Sequence, residues 1–192
     1  MRFFSARTVL CCGLVLGCAG GLLLGRDLYM AAKAQFAAQM IARAWRAHLA
    51  DGADHRPWPW ADMHPIAWLE APRLDVSLPV LSDATGPSLA FGLGHIRGGA
   101  RPGESGACAL AGHRDSWARF VARLEAGDEI RLTTREGVRV YRVERLAIVD
   151  RRDMLLLEAG AGERLIVVTC YPFDALLRGP WRYIVVCAPA VA

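Results

Sequence analysis

Between Val9 and Gly25 the chain reads VLCCGLVLGCAGGLLLG, seventeen residues without a charge, with Arg2 and Arg7 before it and Arg26 and Asp27 after it. As a helix this stretch spans about 25 Å, enough to cross a slightly thinned hydrocarbon core. A cleaved signal peptide carries a similar apolar run, but no A-x-A site with a polar flank ends this one. Lipidation at Cys18 fits poorly beside Leu16 and Leu22-Leu23-Leu24. The pattern predicts an uncleaved anchor over residues 1–26 with its basic N-terminus in the cytoplasm. Everything after Arg26 is then exported.

From Asp27 to Ala50 the chain is rich in Ala, Gln and Met and free of Pro and Gly, which predicts a juxtamembrane helix. Met30, Ala34, Ala37, Ile41 and Ala44 give it a shallow apolar stripe, interrupted at His48. Asp51-Gly52 ends it. In the next stretch, GADHRPWPWADMH (Gly52–His64), Pro57 and Pro59 exclude helix while Trp58 and Trp60 call for a surface to cover. Residues 27–64 therefore read as a juxtamembrane helix and a Pro/Trp linker.

Beyond Pro65 the apolar runs become short. Ile66–Leu69, Val76–Leu81, Ala107–Ala111, Glu129–Thr133, Val138–Val143, Leu165–Thr169 and Tyr183–Cys187 are predicted strands, separated by turn residues such as Asp83-Ala84-Thr85-Gly86-Pro87 and Arg135-Glu136-Gly137. Ile130 and Leu132 alternate with polar neighbours, as on a half-buried strand. The apolar phase of Val138 and Val140 slips at Val143, which predicts a bulge. Leu165–Val168 and Ile184–Val186 are continuous, as in strands covered on both faces. One helix is predicted, with Ser116 as its cap and Trp117, Phe120, Val121 and Leu124 at helical spacing. Strands with so few helices point to an all-β domain over residues 65–192, a closed or nearly closed antiparallel barrel.

Composition narrows the classes. Apolar residues make up 54% and charged residues 22% of 192 positions, which excludes a disordered or collagen-like chain. The net charge of +4 is mild, and 22 Arg with the single Lys33 are scattered rather than blocked, so no nucleic-acid partner is expected. Of six cysteines, Cys11, Cys12 and Cys18 lie in the anchor, leaving Cys108, Cys170 and Cys187 downstream. An odd number argues against a disulfide scaffold. No C-x-x-C or H-x-x-x-H spacing is present, and Asp150, Asp153 and Glu158 are mixed with Arg151 and Arg152, so neither a metal nor another cofactor is expected.

Three residues carry candidate chemistry: His113 after the strand ACALA, Cys170 at the end of LIVVTC, and Arg182 at the start of WRYIVV. Two strand ends and a strand start can meet at one barrel rim, and the Tyr171–Trp181 hairpin would set Cys170 opposite Arg182. A thiolate is a strong nucleophile, a guanidinium can hold a tetrahedral oxyanion, and an imidazole can protonate a leaving amine. The same residues also fit a core thiol, a turn histidine and a stacked surface arginine. No Asp or Asn is visibly reserved to orient the histidine.

The order GHRDSWARF, then Gly127-Asp128, then TCYPF, then an Arg twelve residues after the Cys in GPWRYIVV resembles the sortase family. The stretch Gly92–Asp115 is similar to the family's approach to its histidine, and the likeness runs from about Ile66 to Cys187. The linker WPWADMHPIAWL resembles that of a Gram-negative, marine proteobacterial branch. The resemblance implies an eight-stranded β-barrel with one or two short helices behind a membrane anchor. It implies a cysteine transpeptidase with Cys170 as nucleophile, His113 as general acid/base and Arg182 as oxyanion or substrate-positioning residue. Such an enzyme cleaves a C-terminal sorting signal of a secreted protein, holds the acyl part as a thioester and passes it to an amine acceptor. In this reading Thr169, beside Cys170, is a candidate to hydrogen-bond substrate and His95 resembles a family position near the groove, strand packing and a structural role being their alternatives, with Ser82–Leu93 and Arg151–Gly162 as the groove walls. In a Gram-negative envelope the domain would face the periplasm from a single pass through the inner membrane. The family's Asn near Ala107-Cys108 is absent here. A non-catalytic, membrane-tethered barrel that binds an envelope partner is the competing expectation.

Overall fold

The computed structural model describes residues 6–153, 162–175, 177 and 179–190. They form two compact units, Met1–Gln39 and Met40–Ala192. One helix, α1, covers Ala6–Asp51. The separate membrane and juxtamembrane helices expected on either side of Arg26-Asp27 are thus one unbroken element, with no proline between Ala6 and Asp51 to break it. Its apolar part is long and apolar enough to cross a membrane. Leu14, Val15, Leu16, Leu22, Leu23 and Leu24 are all exposed.

In the second unit, the last turns of α1 bury Ile41, Ala44 and Trp45. Ile41 forms a small cluster with Met63 and Leu81, against which Trp58 and Phe91 pack. The two aromatic rings meet edge to face at 5.1 Å. Trp58 therefore finds the surface it was expected to need, while Trp60 stays exposed. Gly52, at φ +77°, turns the chain out of the helix into the linker.

Eight strands follow: β1 (Pro65–Ala71), β2 (Val76–Leu81), β3 (Leu93–His95), β4 (Ala107–Ala111), β5 (Glu129–Thr134), β6 (Gly137–Asp150), β7 (Arg164–Cys170) and β8 (Trp181–Pro189). They close into a barrel in the order β1-β2-β3-β4-β7-β8-β6-β5. The fold class is as expected, but the barrel is mixed rather than antiparallel. The β2/β3 and β4/β7 pairs are parallel. A strand such as β4 can reach β7 in parallel only by a long crossover, and β5 and β6 supply it. The predicted bulge is present, as a register shift between Val143 and Arg145 where β6 pairs β8.

Strand alternation sorts the apolar residues into two layers. Leu110, Leu165, Val167, Val185 and Cys187 point into the barrel core with Leu69, Val80, Ile130, Leu132 and Tyr141. Ala109, Ile166, Val168, Ile184 and Val186 form a second buried cluster on the outer face of β4, β7 and β8. That explains the unbroken Leu165–Val168 and Ile184–Val186 runs, since both faces of these strands are covered.

The expected helix at 116–124 is instead a 3-10 turn, Arg119–Arg123, with no side-chain cap. Ala118, Val121 and Leu124 are all buried, a period of three. The i+3 bonds from Val121 N to Ala118 O (3.2 Å) and from Leu124 N to Val121 O (3.3 Å) match that period. The Gly127-Asp128 turn just after it has a structural part. Arg73 reaches across to Asp128 with paired bonds of 2.5 and 2.7 Å, which hold the Asp128 carboxyl below its ordinary range. A depressed folded value stabilises the fold above about pH 4 and loses that stabilisation as pH falls through it. Asp128→Asn is therefore expected to lower the melting temperature at pH 7, with the gap to the parent closing below about pH 4. Thermal melts at several pH values check this, and a gap unchanged at pH 3 overturns it.

Candidate active site

The register brings three of the five candidate residues to one rim. Cys170 and Arg182 are direct antiparallel partners, the last pair of the β7/β8 ladder. Directly opposed side chains have Cβ atoms about 4.5–5.5 Å apart. On the other side of β7, Ala111 pairs with Val168 in the parallel β4/β7 ladder. The ladder continues past the end of β4, since Gly112 N donates to Val168 O at 3.1 Å. Gly112 is thus tied to β7, and His113, the next residue, follows just past the end of β4. The carboxyl ends of two strands share a rim because β4 and β7 are parallel.

Alternation also fixes the face. Cys170 follows Ile166 and Val168, and Arg182 precedes Ile184 and Val186, so both share the outer face with the second apolar cluster. His113 lies two residues beyond Ala111, the last paired residue of β4. All three residues are half-buried. Thr169 lies on the opposite, inner face, where its buried hydroxyl donates to Gly112 O at 2.8 Å. It thus ties β7 to the residue before His113. His95 pairs with Leu110, whose side chain lies in the core, and is itself buried with Nε2 3.0 Å from Ala100 O. The geometry keeps Thr169 and His95 off the face that Cys170 and Arg182 share.

Each rim residue has a local reason for its position. A Cβ on Gly112 would sit 2.7 Å from both Ala118 Cβ and Leu93 Cδ2, so only glycine lets the chain pass close under the 3-10 turn before His113. The His113 carbonyl then accepts bonds from Ser116 N and Ala118 N at 3.2 and 3.1 Å, closing the turn. Arg182 Nη1 donates to Gly179 O at 3.0 Å and to Trp181 O at 2.9 Å. Among the described residues Arg182 makes no ion pair. Arg114, to which the sequence attached no role, donates to three carbonyls of the loop after Cys170: Pro172 O at 2.8 Å, Leu177 O at 3.1 Å, and Ala175 O. Tyr171, Phe173 and Tyr183 stack at the root of that loop, with ring centroids 5.1–6.2 Å apart.

Of the expected walls, Ser82–Leu93 is ordered by Asp83, which accepts from Thr85 N, Thr85 Oγ1 and Ser88 Oγ at 2.6–3.0 Å. Trp117 Nε1 ties the same segment down through Ala90 O at 2.9 Å. Most of Arg151–Gly162 lies outside the described residues. Among the described residues no three His, Cys, Asp or Glu side chains gather as a metal site would require.

The three downstream thiols differ sharply. Cys108 and Cys187 are core residues, and burial pushes both thiols up to about 12. At pH 8 such a thiol is about 10⁻⁴ ionised. Only Cys170 of the three reaches solvent. Iodoacetamide at pH 8 is therefore expected to modify Cys170 in the native protein while sparing Cys108 and Cys187, read by peptide mass spectrometry. Modification of Cys108 at the rate of Cys170 would contradict this.

Comparison with known proteins agrees with this architecture. A family model described as the sortase domain matches residues 69–190. Sortase D of Bacillus subtilis (strain 168) is 36% identical over 118 residues, covering 61% of this chain and 60% of that protein. The chain thus spans less than two thirds of that relative's length. A Clostridium perfringens Sortase D5 transpeptidase superimposes with a TM-score of 0.59 at 26% identity, over 67% of this chain and 80% of that one. Sortase A from Corynebacterium diphtheriae shares the fold, with a TM-score of 0.62 at 24% identity over 69% of this chain and 64% of that one. On its barrel topology and on a match through nearly the whole of that barrel, the chain belongs to the sortase family.

Proposed function

We propose that this chain is a membrane-anchored cysteine transpeptidase that cleaves a C-terminal sorting signal of a secreted protein. The observation that carries the reading is the cross-strand pair Cys170–Arg182 at the end of the β7/β8 ladder, with His113 two residues past the end of the neighbouring β4. In the proposed reaction the Cys170 sulfur, as thiolate, attacks the scissile carbonyl carbon. The oxygen becomes an oxyanion, and Arg182 lies one strand away to stabilise it. Collapse breaks the C–N bond as the protonated imidazole of His113 gives its proton to the leaving amine. The acyl part remains on Cys170 as a thioester. An incoming amine then loses a proton to His113 as it attacks, the new amide forms, and the thiolate leaves.

Ala109, Ile166, Val168, Ile184 and Val186 form a buried apolar layer on the face of Cys170 and Arg182 and so hold the strands that carry them rigid. Thr169 and His95 act on the site through the backbone: Thr169 through Gly112, His95 by holding the Ala100 loop to β3. In α1, the apolar run supports a single membrane span, and Arg2 and Arg7 support a cytoplasmic N-terminus with the barrel on the extracytoplasmic side.

The test is to incubate the full chain, in detergent micelles, with peptides ending in a short motif, an apolar stretch and basic residues. The expected result is an acyl adduct at Cys170 by intact-mass spectrometry, and a ligated product when a small amine is added. Hydrolysed peptide alone, in the presence of amines, would replace transfer with net hydrolysis. No adduct with any sorting-signal peptide would leave a binding barrel.

A further inference from the structure

The β7/β8 ladder pairs Cys170 with Arg182, and the loop from Tyr171 to Pro180 joins the two strands beyond them. Its ends are held by the rim itself. Tyr171 N bonds Trp181 O at 3.1 Å, and Arg182 Nη1 bonds Gly179 O. The Tyr171, Phe173 and Tyr183 rings anchor its first turn. Among the described residues nothing of that kind holds the middle. There the Pro172, Ala175 and Leu177 carbonyls all turn to one guanidinium, that of Arg114. Arg114 sits next to His113 in the chain, and among the described residues it makes no ion pair. A cation held only by carbonyl dipoles gives charge-assisted bonds, each roughly twice as strong as a neutral one. Its planar fork serves separated acceptors as a single ammonium cannot.

We propose that Arg114 is a positioning residue: it staples the middle of the β7–β8 loop to the turn that carries His113, and so sets the imidazole and the thiol in one fixed geometry. The proposal rests on the roles given above to Cys170 and His113. Thr169 and Gly112 tie the two elements inside the barrel, and Arg114 ties them outside it. Loss of the outer tie leaves the barrel intact and lets the loop drift, and a misplacement of about 1 Å can cost on the order of 10²-fold in rate.

The experiment compares the full chain in micelles with Arg114→Ala and Arg114→Lys. Hydrogen exchange of the loop amides is measured alongside the pH–rate profile of Cys170 alkylation and, with a sorting-signal peptide, kcat and KM. Arg114→Ala is expected to speed loop exchange about tenfold or more while β7 and β8 stay protected. Its alkylation profile should shift, and kcat should fall about 10- to 100-fold with KM changed less. Arg114→Lys should lie between. An unchanged alkylation profile and kcat, despite faster loop exchange, would make Arg114 a structural residue only and overturn the proposal; so would unchanged exchange. Should Arg114→Ala fail to fold, the lysine variant decides on the same three readouts. If the parent forms no acyl adduct, the transpeptidase reading falls, while exchange and alkylation still judge the staple.

Discussion

Cys170→Ala is expected to abolish the acyl adduct and to lower turnover of a sorting-signal peptide by at least about 10³-fold, with the barrel intact. A thioester needs a sulfur at the rim, and no other thiol stands in for it. Cys108 and Cys187 lie in the core, with thiols pushed up by burial to about 12, and the remaining cysteines belong to the N-terminal apolar run. The substitution should be mild for folding. Cys170 ends its strand, is half-buried, and gives no side-chain hydrogen bond to any described residue, so the cost should stay within about 1 kcal/mol. Melting temperature and turnover therefore separate cleanly. Residual turnover within tenfold of the parent, from a folded Cys170→Ala protein, would remove the nucleophile assignment and the thioester with it. Cys170→Ser is a sterner control, since it keeps the shape and loses the low-energy thiolate.

The parts legible in the sequence are those whose signal is local. Val76–Leu81 and Ala107–Ala111 are strands with the predicted limits, because Asp75 and Ser82-Asp83 bound the first run and Gly106 and Gly112 the second. Val143 announced a bulge by breaking phase, and the ladder shifts there. β6 runs on to Asp150, seven residues past its predicted end, because Glu144-Arg145 looks like a terminus. Past the bulge, β6 pairs only with β8, so charged residues have open space on that side. β3 is three residues long, too short for any periodicity, and is recruited by its neighbours β2 and β4. The segment after Ser116 shows how a spacing of three and four can deceive. Ala118, Val121 and Leu124 decide the outcome, and the 3-10 turn alone puts all three under one roof.

The chemistry was legible as residue types and their order, but not as faces. His113, Cys170 and Arg182 stand out at strand ends, and the hairpin correctly pairs the last two. Thr169 looked like part of the same surface because it is adjacent, yet one step along a strand reverses the side chain. His95 was similarly carried to the core by its pairing with Leu110. Neither the parallel β4/β7 pairing nor the Arg114 staple leaves a local trace. Both join segments more than fifty residues apart.

Arg182→Ala should cost about 10²–10³-fold in kcat, with a smaller change in KM, because the charge it supplies is needed only once an oxyanion forms. Two interactions would be lost at once, and a second variant tells them apart. In the resting protein Nη1 is engaged by the Gly179 and Trp181 carbonyls, while Nε and Nη2 donate to no described residue. The engaged nitrogen holds the loop, and the free edge of the fork is the part that can meet substrate. Arg182→Lys keeps one charge but not both functions, since a lysine that bonds the loop carbonyls has no planar second edge to offer. If oxyanion binding dominates, Lys should recover little of the lost kcat, and faster loop exchange should appear only in Ala. If loop anchoring dominates, Lys should restore exchange protection and most of the rate together. A kcat for Arg182→Ala within threefold of the parent would take the guanidinium out of the transition state altogether. The oxyanion would then need backbone N–H donors at the same rim, and the resting geometry already uses Gly112 N on Val168 O and Tyr171 N on Trp181 O.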